Sequence, residues 1–531
     1  MAGKNIEAGF QSVCKILFGR EVGTLGEFEP YLKETLFHFS IFPSSKSGKE
    51  VFMSGNKALK GSTFLAQDET RINSARPLGI NEIKDIDSLL ARVRENSAFC
   101  GSKTFGRDLN TSHVDNCTDS TDSHFCHNIF QVKNSAYCSY VREADYVYGV
   151  SAFPYSRQCI RIVEGTYANR SFECYYASEI SDCYFCMNCI ATKSAMFSFN
   201  MRNKSYAIGN NQLDKGTYAK IRSHLLEQMA DELEKKKRLF SIADLAAGFA
   251  PQSSHPVPVI LPPSPVPAKI EKAWQQTAKV VLCAEHPGVE KYGQWLLGKN
   301  SSIEISRVKG ADGKPTFMNN LPVVCGIPAS RLLGLQAALD SAPKGISLDT
   351  KNMQSLKEVA LECSRTAYFT HEFVTGVSQG AVDTPEVFNS TDVYRCWDCT
   401  ESRLCAYSNG GFVRSSEYSF GGSSVRLLGC KFSIKCYDSS NLNRCLEVDS
   451  SHNCNDCYFC HNCESCEECL FCFNAKGLRH ALFNTPLPKE EYARVKKILL
   501  GYLNSQLEKS ASVPFDLFSI SAGETARLGK A

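Results

Sequence analysis

The chain has no long hydrophobic run. No stretch approaches the roughly 20 apolar residues that a membrane-spanning helix needs, which argues against a helical membrane protein and leaves no membrane partner to expect. Nor does one sign of charge dominate. The 59 lysines and arginines nearly balance 56 acidic residues, for a formal net charge of +3. That balance gives no general electrostatic case for nucleic acid or an anionic membrane surface. Residues 1–20, MAGKNIEAGFQSVCKILFGR, lack an apolar core of signal-peptide length, so the expected location is the cytoplasm, or a particle assembled there. There is no P-loop, GxGxxG fingerprint, HExxH or GxSxG, so the familiar nucleotide, dinucleotide, zinc-protease and hydrolase signatures are missing. Disorder does not fit either: 43% of residues are hydrophobic and 22% charged, and 531 residues suffice for two or more cored domains.

What the chain has in excess is cysteine, 26 in all. In a reducing compartment, dense cysteine means metal sites or buried packing rather than disulfides. Seven of them, Cys454, Cys457, Cys460, Cys463, Cys466, Cys469 and Cys472, stand three residues apart, and steps of nine carry the frame back through Cys445 to Cys436. A shorter run occurs at Cys174, Cys183, Cys186 and Cys189. Such regularity is the mark of a repeat architecture.

The two halves align. Residues 182–218 and 456–492 match without a gap: Asp182 with Asp456, Phe199-Asn200 with Phe473-Asn474, Tyr218 with Tyr492. The following stripes, Tyr218, Ile221, Leu225, Met229, Leu233 and Tyr492, Val495, Leu499, Leu503, Leu507, have the spacing of one buried helical face. Both halves then read LFSI, at Leu239–Ile242 and Leu517–Ile520. Upstream the match continues with small register changes: Cys159 and Cys174 pair with Cys430 and Cys445, and Tyr31 pairs with Trp295.

The expected fold class is α+β: a tandem duplication of a unit with a cysteine-rich, β-solenoid-like repeat section capped by an amphipathic C-terminal helix. The first unit spans 1–250, with a mixed N-terminal section, repeats over about 115–210 and a helix over about 216–238. A linker at 251–268 carries seven prolines and reads as an extended, semi-stiff spacer. The second unit spans 269–531, with repeats over about 390–484 and a helix over about 488–509.

A three-residue period fits neither an α-helix nor a plain strand, but suits a solenoid of short strands and corners. The nine-residue sub-period points to coils of about eighteen residues. Serine, asparagine and aspartate between the cysteines suit turns, as do Gly410-Gly411 and Gly421-Gly422. Cysteine then acts as a small buried hydrophobe stacked in ladders. The rival reading is zinc, with thiolates drawn from Cys454, Cys457, Cys460, Cys463, Cys466, Cys469 and Cys472. Against it, the first half has Ile180, Thr192, Ala195 and Ser198 opposite Cys454, Cys466, Cys469 and Cys472. An iron–sulfur run lacks its proline-flanked fourth ligand. Cys457-Tyr458-Phe459-Cys460-His461 satisfies the CxxCH haem pattern, but Met187 stands opposite His461. Histidines 113, 124, 127, 371, 452, 461 and 480 lie near the cysteine-rich sections, and none is singled out as the base for a thiol nucleophile. Tyr184-Phe185 and Tyr458-Phe459 read as core rather than base-stacking pairs, and Glu234–Arg238 as a solvated helix end.

The stretch DCYFCxNC, then FN, then Arg202-Asn203-Lys204-Ser205-Tyr206 or Lys489-Glu490-Glu491-Tyr492, resembles a group of uncharacterised cysteine-repeat proteins of candidate-phylum bacteria and large phages. The resemblance covers roughly 115–240 and 390–510 and implies no activity. The expected function is a non-enzymatic structural or assembly protein whose partners are other protein subunits, with no catalytic residue or cofactor-binding residue assigned. The alternatives are a zinc-binding adaptor for protein or nucleic acid, and a cysteine-nucleophile enzyme.

Overall fold

The three-residue period has its origin in the backbone. Through both cysteine-rich regions a residue with positive φ recurs at every third position, as at Asp182 (54°), Phe185 (53°) and Asn188 (54°), or Asp456 (50°), Phe459 (54°) and Asn462 (51°). Each such residue turns the chain through a corner, and the next side chain, the one in the cysteine frame, points inward. Asparagine and aspartate tolerate the left-handed conformation, yet tyrosine, phenylalanine and glutamate also occupy it. Left-handed geometry costs a non-glycine residue about 1–2 kcal/mol, so stacking of coil on coil must offset the corners.

The coil is twelve residues long. Ile160 pairs with Phe172 and Ile162 with Cys174; Ser181 pairs with Lys193; Glu467 pairs with Arg479, all parallel. Twelve residues at three per corner make four sides, each contributing one inward side chain. The eighteen-residue coil expected from the sequence is therefore too long. The nine-residue step has another meaning: it is the offset from an inward thiol to the carbonyl it bonds on the next coil, as from Cys454 to Cys463.

The computed structural model describes residues 3–54, 61–75, 83–298, 303–344, 355–408, 413–422 and 427–521; Gly410 and Gly411 lie outside them. Gly421 and Gly422 do take positive φ, 74° and 120°. The structure is mixed α and β, and among the described residues no helix is long and apolar enough to cross a membrane.

The chain forms two units, each discontinuous in sequence. The first comprises Met1–Phe37, Thr104–Pro262 and Ile305–Phe373. Its parallel ladder runs in chain order from Thr104–Phe105 to Ser205–Ile208 and closes with an antiparallel return strand, Asn211–Gln212. The helix Lys4–Phe18 lies on the ladder, with Phe10 edge-on to Tyr148 at 5.2 Å and Phe18 to Phe172 at 5.1 Å. The helix Lys215–Lys236 follows, capped by Asp214, which accepts the Thr217 amide at 2.9 Å. Its Tyr218 ring packs on Tyr206. Residues 305–373 add a hairpin, Ile305–Lys309 with Pro315–Asn319, and the helix Leu356–Thr366. They dock through Phe369 against Phe199 and through Asn200, whose amide donates to the Tyr368 carbonyl at 3.0 Å.

The second unit comprises His38–Lys103, Pro263–Glu304 and Val374–Ala531. Its ladder runs from the strand Gln379–Val382 to Arg479–Leu482 and closes with Thr485–Pro486. Two steps lengthen to fourteen residues, Arg403 to Glu417 to Lys431. The helix Ala268–Val281 lies on it, with Trp274 edge-on to Phe420 at 5.3 Å, and the helix Lys489–Ser510 follows. Residues 38–103 add the hairpin Phe39–Pro43 with Glu50–Ser54 and the helix Ile86–Asn96. They dock through Phe99 against Phe473 and through Asn474, whose amide donates to the Ala98 carbonyl at 2.9 Å.

The segment that precedes each ladder in sequence thus belongs to the unit built on the other ladder. The proline-rich stretch is hydrogen-bonded along its length: the Leu261 amide donates to the Arg307 carbonyl at 2.8 Å, the Val259 carbonyl accepts the Lys309 amide at 3.0 Å, and the Ser264 amide donates to Asp383 at 2.6 Å.

Candidate functional site

The seven cysteines of the second ladder occupy consecutive inward positions and are all at most 1% exposed. Each thiol lies near the carbonyl two residues before it. Cys454, Cys457, Cys460, Cys463, Cys469 and Cys472 also reach the carbonyl nine residues ahead, at 3.4–3.8 Å. Cys460 donates to the Tyr458 carbonyl at 3.4 Å and accepts the Cys472 amide at 3.4 Å.

Serine does the same at other inward positions. Ser390 donates to the Phe388 and Cys399 carbonyls at 3.0 and 3.1 Å, and accepts the Ser402 amide at 3.0 Å. In the first ladder the Val132 amide reaches Ser120 at 3.1 Å and the Cys183 amide reaches Ser171 at 3.2 Å. Four-sided coils leave corner amides and carbonyls that the strand pairing does not use, and a buried polar group must find a partner. A small side chain with one donor and one acceptor supplies it. Cysteine does so weakly while still packing as a hydrophobe. The sequence marked these positions as cysteine sites; the interleaved serines in the same frame were the unread signal that the role is hydrogen bonding as well as packing.

Burial governs the thiol chemistry. It pushes Cys159 and Cys14 up to about 12 and raises Cys405 and Cys363 well above the ordinary range. Burial raises Cys460, but hydrogen bonds from Cys457, Cys463 and Cys472 outweigh it and lower Cys460. All 26 thiols are free; 24 are buried, and Cys283 and Cys325 are exposed. Among the described residues no group of three or more His, Cys, Asp or Glu side chains is arranged to hold a metal ion.

The histidines are dispersed. His461 accepts the Cys100 amide on Nε2 at 2.9 Å and donates from Nδ1 to Asp449 at 2.9 Å, so both nitrogens of the CxxCH histidine are engaged. His124, lowered to about 4 mainly by burial, bonds Ser112 at 2.8 Å beside His113. His127 lies 3.3 Å from the Phe37 carbonyl, His452 bonds Ser440, and His480 pairs with Glu468 at 2.5 Å. His371 is fully buried with no hydrogen-bond partner on either nitrogen, and burial lowers it to about 3. Tyr184 and Phe185 are core: the Tyr184 hydroxyl donates to the Leu17 carbonyl at 2.9 Å and Phe185 stacks on Phe197. Phe459 likewise stacks on Phe471. In the basic run Lys236 pairs with Glu232, and Lys237 donates to the Val22 carbonyl at 3.1 Å.

Each ladder also holds a buried ion pair that the sequence reading passed over. In the first, Arg161 and Glu173 are both fully buried; Arg161 donates to Glu173 at 2.7 Å, and Glu173 accepts the Ile242 amide at 3.2 Å at the start of a short helix. In the second, Lys435 lies 2.6 Å from Glu447, which accepts the Leu517 amide at 3.3 Å, again at a helix start. Arg161 stacks on the Tyr31 ring, and Lys435 faces Trp295. Arg161 and Glu173 precede Asp182 at the same distances at which Lys435 and Glu447 precede Asp456, so the gapless alignment, carried further back, contained the signal.

No family model, no curated protein and no solved structure matches this chain.

Proposed function

We propose that the chain is a structural, assembly-type protein. In this reading it is a tandem duplication of a cysteine-rich, β-solenoid-like unit capped by an amphipathic helix, presenting its outer faces to other protein subunits in a larger particle. The duplication is supported by equivalent details: the ion pairs Arg161–Glu173 and Lys435–Glu447, and the asparagines Asn200 and Asn474 docking equivalent segments. The observation that carries the assembly role is the use of the interior. Inward thiols and hydroxyls are spent on backbone groups, which leaves the outer faces for recognition. Those faces carry ladders of pairs twelve residues apart, such as Arg170–Asp182, Arg444–Asp456 and Lys476–Glu464. Free thiols suit a reducing compartment, the cytoplasm or a particle assembled there. Cysteine-repeat proteins of the group that the pattern resembles would share the ladder. In-cell crosslinking followed by sedimentation tests this. Recovery in a large complex with defined protein neighbours is expected; an isolated chain with no neighbour refutes it.

A second reading, a zinc-binding adaptor built on Cys454–Cys472, draws on the run of seven buried thiols spaced three residues apart. Stoichiometric zinc in protein purified without added metal, lost in Cys460→Ser, would favour it.

A further inference from the structure

The prolines of residues 255–267, HPVPVILPPSPVP, dictate the local backbone before any packing does. Pro256, Pro258, Pro262, Pro263, Pro265 and Pro267 each hold φ at about −65°. A residue that precedes proline is pushed to extended or polyproline II geometry. Between His255 and Pro267 only Val259 and Ile260 escape both restraints. Those two are held by the hairpin strand Ile305–Lys309. Ile260 pairs with Val308, the Leu261 amide donates to the Arg307 carbonyl at 2.8 Å, and the Val259 carbonyl accepts the Lys309 amide at 3.0 Å.

Burial follows the period that this backbone imposes. A strand would alternate every second residue, whereas a polyproline helix has about three residues per turn. His255, Pro258, Leu261, Ser264 and Pro267 are half-buried, and every residue between them is exposed except Val266. One edge of the segment therefore rests on the protein and two ridges face solvent. Over residues 255–262 the first ridge is Pro256, Val259 and Pro262, and the second is Val257 with Ile260. Val257 is 88% exposed, Ile260 62% and Val259 57%.

The placement of the prolines also decides what can cover these ridges. Val259 and Leu261 spend backbone groups on the hairpin, so an added strand would have to pair with residues 256, 258, 260 and 262. Three of those four are proline and have no N–H to give. A strand from any partner, a second copy included, finds no ladder here. Recognition must then read the ridges themselves. A groove lined with aromatic rings does so, taking proline and aliphatic side chains three residues apart and donating to the carbonyls between them. Among the described residues the carbonyls of Pro256, Val257, Pro258 and Ile260 accept no hydrogen bond.

We propose that Pro256–Pro262 is a docking ridge for a partner subunit that carries such an aromatic-lined groove. The prolines and the hairpin bonds fix the bound conformation in advance, which lowers the entropy lost on binding. The proposal rests on the assembly reading and gives one of its partners a chemistry.

Surface plasmon resonance of the immobilised full chain against a panel of purified SH3 and WW domains tests it. At least one module should bind. Val257→Asp with Ile260→Asp charges one ridge; Pro256→Gly with Pro258→Gly keeps both of those side chains but frees the backbone. Each pair should weaken the binding about tenfold or more. Leu109→Asp, a control at another exposed apolar position, should bind as the wild type does. Circular dichroism matching the wild type confirms that the variants fold. No binding across the panel, or binding that the ridge variants weaken no more than the control does, overturns the proposal. So does a strand peptide of alternating valine and threonine that binds this segment in preference to every module, since the occupant is then a foreign strand. A chain that binds no module yet sediments in a large complex in cells would sink this contact and leave the assembly reading standing.

Discussion

Replacing Cys460 separates the two jobs assigned to an inward thiol. Its sulfur is fully buried, donates to the Tyr458 and Cys469 carbonyls and accepts the Cys472 amide. In Cys460→Ser the hydroxyl reproduces bonds already made by Ser390 and Ser451, the latter accepting the Cys463 amide at 2.9 Å. Oxygen is smaller than sulfur, leaving a void of roughly 20 Å3, which at about 24 cal/mol per Å3 costs about 0.5 kcal/mol. The stronger hydroxyl bonds offset part of that, so serine should lie within about 1 kcal/mol of wild type. Cys460→Ala keeps no donor or acceptor: it opens a larger void and leaves the Cys472 amide unpaired, for a cost of about 2–4 kcal/mol. Cys460→Leu adds overpacking and should cost at least as much as alanine. Urea unfolding of the three variants, in chelator, gives the order serine, alanine, leucine from least to most destabilising. If the thiol were only a small hydrophobe, serine would bury an idle hydroxyl and fall below alanine. That reversed order would refute the hydrogen-bonding account.

Further outcomes follow from the same geometry. A thiol reagent added to native protein should modify two of the 26 cysteines quickly, Cys283 and Cys325, with the remainder reacting only on unfolding; a fast third thiol would contradict the closed interior. His371 is lowered to about 3 in the fold from an ordinary 6.5, so the unfolded chain takes up the proton first. Its contribution is intact above about pH 6.5 and is lost as pH falls toward 3, by about 1.4 kcal/mol per pH unit, and His371→Phe should flatten that part of the pH–stability curve. Glu173→Gln leaves the buried Arg161 with only the partly exposed Glu34 as a partner charge and should cost up to about 3–5 kcal/mol, whereas Arg161→Met with Glu173→Leu should recover most of it; equal losses in thermal unfolding would argue against a desolvated pair. Because residues 38–103 and 305–373 each complete the unit built on the other half's ladder, protein cleaved at a site engineered after Val257 should elute as one species until denatured. Separation of the two fragments under native conditions would contradict the exchange.

The helices were legible because they rest on local spacing: the stripes from Tyr218 and Tyr492 became the helices Lys215–Lys236 and Lys489–Ser510. The three-residue frame was legible for the same reason, since every corner consumes three residues whatever surrounds it. Coil length was not, because the nine-residue cysteine spacing marks a thiol and its acceptor coil, and the closing of four corners is a property of stacked backbones. Nor were the ion pairs, where each member is an ordinary charged residue until another coil and a helix start remove it from water.

The sequence by itself determined the three-residue frame and the two long helices, because these follow from periodicity within one segment of chain. Tertiary structure alone decided that coils close at twelve residues, that inward serine and cysteine serve the same backbone groups, and that each ladder is completed by a segment from the other half. Those depend on contacts between residues far apart in sequence, and the free energy of such contacts is not written in any local pattern.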